Sequence, residues 1–154
     1  MTDDQLGQIE EIRQLKHVYF RLLDTKRFDE LGRLLTEDAT SAYQSGRLSH
    51  QGRQEVVAFL TESLGDPAIV TMHTGHHPEI ELRSPTEAEG TWYLEDLVMA
   101  TAHDVVVHGT AIYHDAYRKE EGHWRICHTG YERIFEERRR RSTGEVLGLT
   151  TMFD

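Results

Sequence analysis

The chain has almost none of the features that staple small proteins or anchor them in membranes. Its single cysteine, Cys127, cannot form an internal disulfide, which fits a reducing compartment. No apolar run approaches the roughly 20 residues of a membrane-spanning helix. The N-terminus, Met1–Asp4, is acidic and polar, unlike a signal peptide. We therefore expect one domain over residues 1–154, acting in the cytoplasm without membrane contact.

Positive charge is also scarce. The formal net charge is −10, which argues against nucleic acid as a partner because phosphate contacts require a basic surface. The exception is the run Arg138–Arg141, which we expect to be a solvated flank of a strand or turn. The alternative is an anchor for an anionic part of a ligand, such as a nucleotide phosphate. A glycine-rich phosphate loop and a serine nucleophile elbow are both missing.

Apolar periodicity predicts helices first and strands second. Thr2 and Gln5 resemble a capping box, and a helical stripe then follows at Leu6, Ile9, Ile12, Leu15, Tyr19, Leu22 and Leu23. Short helices are expected near 28–35 and 52–64, the latter burying Val56, Val57, Phe59 and Leu60, with a strand near 39–44 between them. Strands are expected near 69–74, 79–83, 87–100, 105–118 and 123–135. This order indicates an α+β fold, a strongly curved mixed or antiparallel sheet with helices covering its concave face.

A histidine and an aspartate stand out within the predicted strands. Alternation along Trp92–Val98 puts Asp96 on the same face as apolar neighbours, where an unpaired carboxylate would be costly. We expect His73 to be its partner, because a carboxylate fixes the tautomer of a histidine and frees the other ring nitrogen to take a proton. The alternative is a purely structural hydrogen bond.

Three further side chains are weaker candidates. Tyr19 points inward from the first helix, although such tyrosines are commonly core residues. Asp24 lies at the expected helix end, where a plain capping or loop role is the simpler interpretation. Arg133, between Tyr131 and Ile134, needs a carboxylate or an anionic ligand if it is partly buried, and is otherwise an exposed strand residue.

The histidines near the end of the first β run could also suggest a metal site. His73, His76 and His77 are enough ligands for zinc in principle, but their spacing is irregular, and no neighbouring carboxylates accompany them to orient their rings. Gly75 and Pro78 suit a plain turn. We therefore expect no metal and no cofactor, with His76 and His77 as turn or rim residues.

Four segments of the chain resemble the SnoaL-like branch of the nuclear transport factor 2-like superfamily. Within it they are similar to the bile acid 7α-dehydratases and more distantly to the scytalone dehydratases. The likeness covers about Ile12 to Glu137, in the same order and at nearly the same spacing. It is carried by Leu15–Asp24, Met72–His76, Trp92–Asp96 and Thr129–Glu137.

The resemblance implies a cone-shaped α+β barrel and a cofactor-independent lyase that is often trimeric. It implies catalytic or pocket roles for Tyr19, Asp24, His73, Asp96 and Arg133. We add, as residues that support the pocket or bind substrate, Tyr43, Trp92, His108 and Tyr131. His108 departs from the bile acid enzymes, which have asparagine there, whereas scytalone dehydratase has a second pocket histidine nearby. That departure and the arginine run put a steroid substrate in question more than the chemistry.

We therefore expect a dehydratase acting on a small hydrophobic, hydroxylated carbonyl compound, either steroid-like or polyketide-derived. In this hypothesis His73 removes a proton, Asp96 orients it, and Tyr19 assists the departing hydroxyl or the developing enolate. A ketosteroid isomerase would instead use Asp24 or Asp96 as its base. A polyketide cyclase and a non-catalytic binding or assembly module remain alternatives, as does a CoA thioester substrate. A homotrimer or homodimer is the expected assembly.

Overall fold

The computed structural model describes all residues 1–154, with three helices, a short 3₁₀ turn and a seven-stranded sheet. The helices are α1 (Asp3–Asp24), α2 (Phe28–Gly32) and α3 (Arg53–Leu64). The strands are β1 (Leu35–Tyr43), β2 (Leu48–Gln51), β3 (Ile69–Leu82), β4 (Glu87–Ala100), β5 (Val105–Glu120), β6 (His123–Arg140) and β7 (Val146–Thr151). The 3₁₀ turn is Thr101–His103.

Helix α1 begins and packs as its sequence predicts. Thr2 and Gln5 form the reciprocal hydrogen bonds of a capping box, which satisfies backbone donors that the first turn leaves free. Tyr19 is fully buried in the core, together with Ile12, Leu22 and Leu23, whereas Leu6, predicted to lie on the same apolar stripe, is 52% exposed. The buried stripe fixes which face of α1 meets the strands.

The sheet is a single curved layer in the order β2-β1-β6-β5-β4-β3, with β7 added beside β6. All its pairings are antiparallel except that of β1 with β6. Strand β6 is long enough to pair with β1 along one part, at Ile126–Tyr131, and with β7 along another, at Phe135–Arg139. The expected α+β class and the curved, mostly antiparallel sheet with helices packed on it are confirmed.

Several predicted boundaries are wrong. The two strands predicted near 69–74 and 79–83 are one strand, β3, which ends at Leu82, because a bulge between His76 and Glu79 absorbs His77 and Pro78 without ending the pairing with β4. His77 adopts a positive φ of 48° there. The second helix ends at Gly32, since the chain enters β1 at Leu35. Strands β2 and β7 were not expected. No helix is both long and apolar enough to cross a membrane.

Candidate active site

A cavity opens between the sheet and helices α1 and α3. Its volume is about 130 Å³, close to that of a protein cavity that holds one benzene molecule, ~150 Å³. Most of the wall is apolar or aromatic, with a few polar groups. It is formed by Tyr19, Leu23, Tyr43, Leu48, Phe59, Leu60, Ser63, Leu64, His73, Asp96, Val98, Tyr113, Tyr131 and Arg133. Such a wall suits a small organic ligand with few polar atoms.

His73 is held by the last residue of α1. Its Nδ1–H donates to Asp24 Oδ1 at 2.6 Å, and its backbone N–H donates to Asp24 Oδ2 at 2.8 Å. The Thr71 hydroxyl donates to the same carboxylate at 2.8 Å. Nδ1 therefore carries the proton, and Nε2 is engaged by no other side chain. An imidazole held this way can accept a proton through Nε2 and share the resulting charge with the carboxylate.

The predicted pairing of His73 with Asp96 is therefore wrong. The two residues are opposite each other in the register of β3 and β4, but the Asp96 carboxylate binds Arg133. Arg133 Nη1 donates to Asp96 Oδ1, and Nη2 donates to Oδ2 at 2.9 Å. The planar guanidinium satisfies both carboxylate oxygens at once, which a single imidazole N–H cannot do. Asp24, given a plain helix-end interpretation from sequence, takes the role expected of Asp96.

A glycine makes room for this arginine. A Cβ built on Gly109 would lie 2.6 Å from Arg133 Nη1, so the guanidinium lies directly against the β5 backbone as it reaches Asp96. Arg133 Nε also lies 3.3 Å from Glu136 Oε2. Burial lowers the pKa of the Arg133 guanidinium, but the hydrogen bonds and charge of Asp96 outweigh that and raise it overall. The partly buried Arg133 is therefore paired with a carboxylate, one of the two partners expected for it from the sequence.

Two phenols of the cavity wall have buried hydroxyls. The hydroxyls of Tyr19 and Tyr43 lie near each other, and neither makes a well-formed hydrogen bond. Burial, followed by neighbouring tyrosines, raises the pKa of Tyr19 well above its ordinary value. Burial likewise raises the pKa of Tyr43. Both phenols stay protonated at neutral pH and can donate to a ligand oxygen, and burying them unpaired is costly unless a ligand or water supplies an acceptor.

Two predicted pocket residues lie elsewhere. His108 is exposed on the opposite face of β5, because Gly109 occupies the inward position opposite Asp96. Trp92 is fully buried on the inward face of β4 as expected, but it donates to the Tyr117 hydroxyl at 3.0 Å and does not line the cavity.

Other charged and metal-binding candidates also lie away from the cavity. His76 and His77 are exposed in the bulge of β3. The arginine run forms the end of β6 and the turn after it, where Arg139 and Arg140 contact neighbouring carboxylates. No three histidine, cysteine, aspartate or glutamate side chains are grouped so as to hold one metal ion.

Behind the cavity lies an ion pair that the sequence analysis missed. Lys16 Nζ lies 2.8 Å from Asp115 Oδ2, and neither side chain has any exposure. The signal was present, since Lys16 shares the inward stripe of α1 with Ile12 and Tyr19. Asp115 likewise alternates with inward tyrosines along β5. The reasoning that singled out Asp96 applies equally to Asp115.

Comparison with known proteins agrees with this architecture. The model of the SnoaL-like domain family matches residues 4–130. The structure is similar to a putative scytalone dehydratase from Novosphingobium aromaticivorans DSM 12444, with TM-score 0.80, 24% identity, and coverage of 86% of this chain and 88% of that one. A hexachlorocyclohexane dehydrochlorinase, LinA-type3 from Novosphingobium barchaimii LL02, aligns with TM-score 0.74 and 15% identity over 97% and 92% of the two chains. ActVI-ORFA from Streptomyces coelicolor aligns with TM-score 0.70 and 17% identity over 82% and 97%. At these identities the likeness concerns the fold.

Proposed function

The chain belongs to the SnoaL-like domain family, and we propose that it is a cofactor-independent lyase that eliminates water from a small hydroxylated carbonyl compound. The observation that carries the proposal is the pairing of His73, a residue of the cavity wall, with Asp24 at 2.6 Å. Two similar structures are described as a dehydratase and a dehydrochlorinase. Both names denote eliminations, in which a proton and a leaving group are lost, and a paired histidine is suited to take such a proton.

In this reaction His73 Nε2 takes a proton from the carbon next to the carbonyl group. Asp24 keeps Nδ1 protonated and stabilises the imidazolium that forms. The C–H electron pair forms an enolate, and as the enolate collapses the C–O bond on the adjacent carbon breaks. The leaving oxygen takes the proton held by His73 Nε2 and departs as water, which returns His73 to its neutral form. Tyr19 and Tyr43, with unpaired hydroxyls, donate to the carbonyl oxygen or to the departing hydroxyl. Hydrogen bonds aimed at the developing charge lower the barrier without a metal.

The other carboxylates are poorly placed to act as the base. Asp96 is neutralised by two hydrogen bonds from Arg133, and the Asp24 carboxylate already accepts three hydrogen bonds from Thr71 and His73. This disfavours an isomerase of the kind that uses a carboxylate base. We assign Arg133 to holding Asp96 and the cavity wall, because Asp96 and Glu136 already balance its charge.

The volume of the cavity limits how large the reacting part of the proposed substrate can be. A volume of about 130 Å³ has room for one six-membered ring, by comparison with the ~150 Å³ of a benzene-binding cavity. The cavity would hold only one ring of a tetracyclic steroid, and the other rings would lie outside it. We therefore propose that the reacting part is a single cyclic β-hydroxyketone unit. The arginine run is not in the cavity wall, so the proposal includes no CoA group.

The test is incubation with small cyclic β-hydroxyketones, followed by mass spectrometry of the product. We expect a product lighter by one water and turnover that falls by about 10²–10⁴-fold in His73→Ala, the usual contribution of a placed base. His76→Ala, which changes an exposed histidine of the same strand, is the matched control and should keep full turnover. Near-normal turnover in His73→Ala would refute the assignment. A product of unchanged mass would indicate an isomerase, and binding without any product would indicate a carrier.

A further inference from the structure

The buried pair of Lys16 and Asp115 has no place in the proposed chemistry. Both side chains are fully shielded from solvent, with 2.8 Å between Nζ and Oδ2. Asp115 also accepts hydrogen bonds from the Tyr117 hydroxyl at 2.9 Å and the Thr129 hydroxyl at 2.8 Å. The carboxylate is therefore fully engaged by α1, β5 and β6 together, at the centre of the molecule.

The ammonium group lies against the back of the cavity wall. Lys16 Nζ is 3.7 Å from the ring centroid of Tyr113, 4.6 Å from that of Tyr19 and 5.0 Å from that of Phe20. Tyr19 and Tyr113 line the cavity with their other surfaces. Lys16 precedes Tyr19 by about one helical turn and therefore shares its face of α1.

A buried ion pair such as Lys16–Asp115 is an unusual way to stabilise a core. Burial lowers the pKa of the Lys16 ammonium, and Asp115 acts in the opposite direction. Apolar side chains of similar volume commonly stabilise a core as well as a buried ion pair does. Unlike apolar packing, an ion pair tolerates little displacement, because sliding or rotating α1 would leave a charge buried without a partner.

We propose that Lys16 and Asp115 are positioning residues, whose ion pair fixes α1 on the sheet so that Tyr19 lies in the cavity wall and Asp24 reaches His73. Tyr19 lies one turn, and Asp24 about two turns, beyond Lys16 on the same helix. The catalytic consequence of this inference rests on the proposed function. Its geometric part does not, because the bond between Asp24 and His73 can be observed without a substrate.

The experiment neutralises both charges together in the variant Lys16→Met with Asp115→Asn, so that no charge is left buried alone. The control is Ile12→Ala, which removes a fully buried side chain from the preceding turn of the same helix and leaves the ion pair intact. The first measurement is the far-downfield proton NMR resonance of His73 Nδ1–H, assigned by its absence in His73→Ala. The second is kcat and KM on any β-hydroxyketone that the wild type dehydrates.

We expect the neutral pair to remain helical by circular dichroism, while the Nδ1 proton moves upfield or exchanges too fast to be seen. We expect kcat to fall about 10- to 100-fold with little change in KM, since a misplacement of ~1 Å in an active site costs about 10²-fold. Ile12→Ala should lose stability but keep the proton resonance and kcat.

An unchanged proton resonance in the neutral pair overturns the inference, and so does an equal loss of the resonance in Ile12→Ala. If the neutral pair does not fold, Lys16→Gln with Asp115→Asn replaces it, because the two amides can hydrogen-bond to each other. Failure of both variants to fold would assign the pair to folding alone and reject the positioning role. If no β-hydroxyketone is dehydrated, the proposed function fails, but the resonance still decides whether the pair fixes Asp24 against His73.

Discussion

Which carboxylate serves His73 can be decided by changing each candidate to its amide. In the wild type, Asp24 receives the Nδ1 proton, so Nε2 is left as the base. In Asp24→Asn the side chain can instead present its NH₂ to Nδ1. This favours the tautomer with the proton on Nε2, which can no longer accept a proton from substrate. Asp96→Asn leaves the Asp24 contact untouched and weakens only the bond with Arg133.

The expected loss of turnover or stability depends on which interaction each variant removes. Inverting the tautomer of a catalytic histidine by an Asp→Asn change lowers kcat by about 10⁴-fold in serine proteases, and we expect a loss of about 10³–10⁴-fold in Asp24→Asn. Its fold should survive, because the Asp24 side chain is 22% exposed at a helix end. Asp96→Asn should lower stability by about 1–3 kcal/mol, since a charge-assisted hydrogen bond is lost in a buried site. Its kcat should change much less.

Three assays measure the tautomer, the activity and the stability independently. Long-range ¹H–¹⁵N correlation spectra of labelled histidine report which ring nitrogen of His73 carries the proton, and they need no substrate. Turnover of a β-hydroxyketone and urea unfolding supply the activity and the stability. The reasoning is refuted if Asp96→Asn inverts the tautomer, or if Asp24→Asn leaves both the tautomer and kcat as in the wild type.

Periodicity predicted most of the inward residues, although Leu6 of the predicted stripe is exposed. The helical stripe of α1 placed Tyr19 in the core, and strict alternation in β4 placed Asp96 on the buried face, where it is 3% exposed. Both follow from local rules, 3.6 residues per helical turn and two per strand repeat. The same rules would have predicted that Lys16 and Asp115 face inward, had the charged residues of α1 and β5 been treated in the same way.

The partners of these residues could not be predicted by local rules. Asp24 and His73 are 49 positions apart, and Asp96 and Arg133 are 37 apart. The two carboxylates can be paired with the imidazole and the guanidinium in more than one way. The choice depends on the angle at which α1 crosses β3 and on the gap that Gly109 leaves beside Arg133. Such distances are set by the packed fold, and no pattern within one segment encodes them.

The remaining predictions concern stability. Gly75→Ala should lower the melting temperature, because its Cβ would lie 2.5 Å from Phe20 Cε2, and such overpacking costs about 1–3 kcal/mol; an unchanged melting temperature would contradict the close approach. Arg133→Met should cost about 3–5 kcal/mol in urea unfolding, because it leaves the Asp96 carboxylate buried alone, and adding Asp96→Asn should recover part of that loss. Raising the pH above ~10 should unfold the protein over a narrow range of pH. Burial raises the pKa of Tyr131 and, more strongly, the pKa of four other phenols, those of Tyr19, Tyr43, Tyr113 and Tyr117. Below pH ~10 these phenols are protonated in both the folded and the unfolded chain, so their contribution to stability is complete. Above pH ~10 only the unfolded chain releases the protons, and each phenol then removes about 1.4 kcal/mol per pH unit, so the four together remove about 5 to 6. Burial lowers the pKa of Lys16, so Lys16 adds stability with rising pH only up to its unfolded pKa of ~10.4 and does not offset the phenols above it. Since the whole stability of a small domain is about 5–15 kcal/mol, circular dichroism should show unfolding within one to three pH units above ~10. The phenolate absorbance of the buried tyrosines should rise in the same transition, and their ionisation near pH ~10 in a chain that stays folded would refute the burial argument.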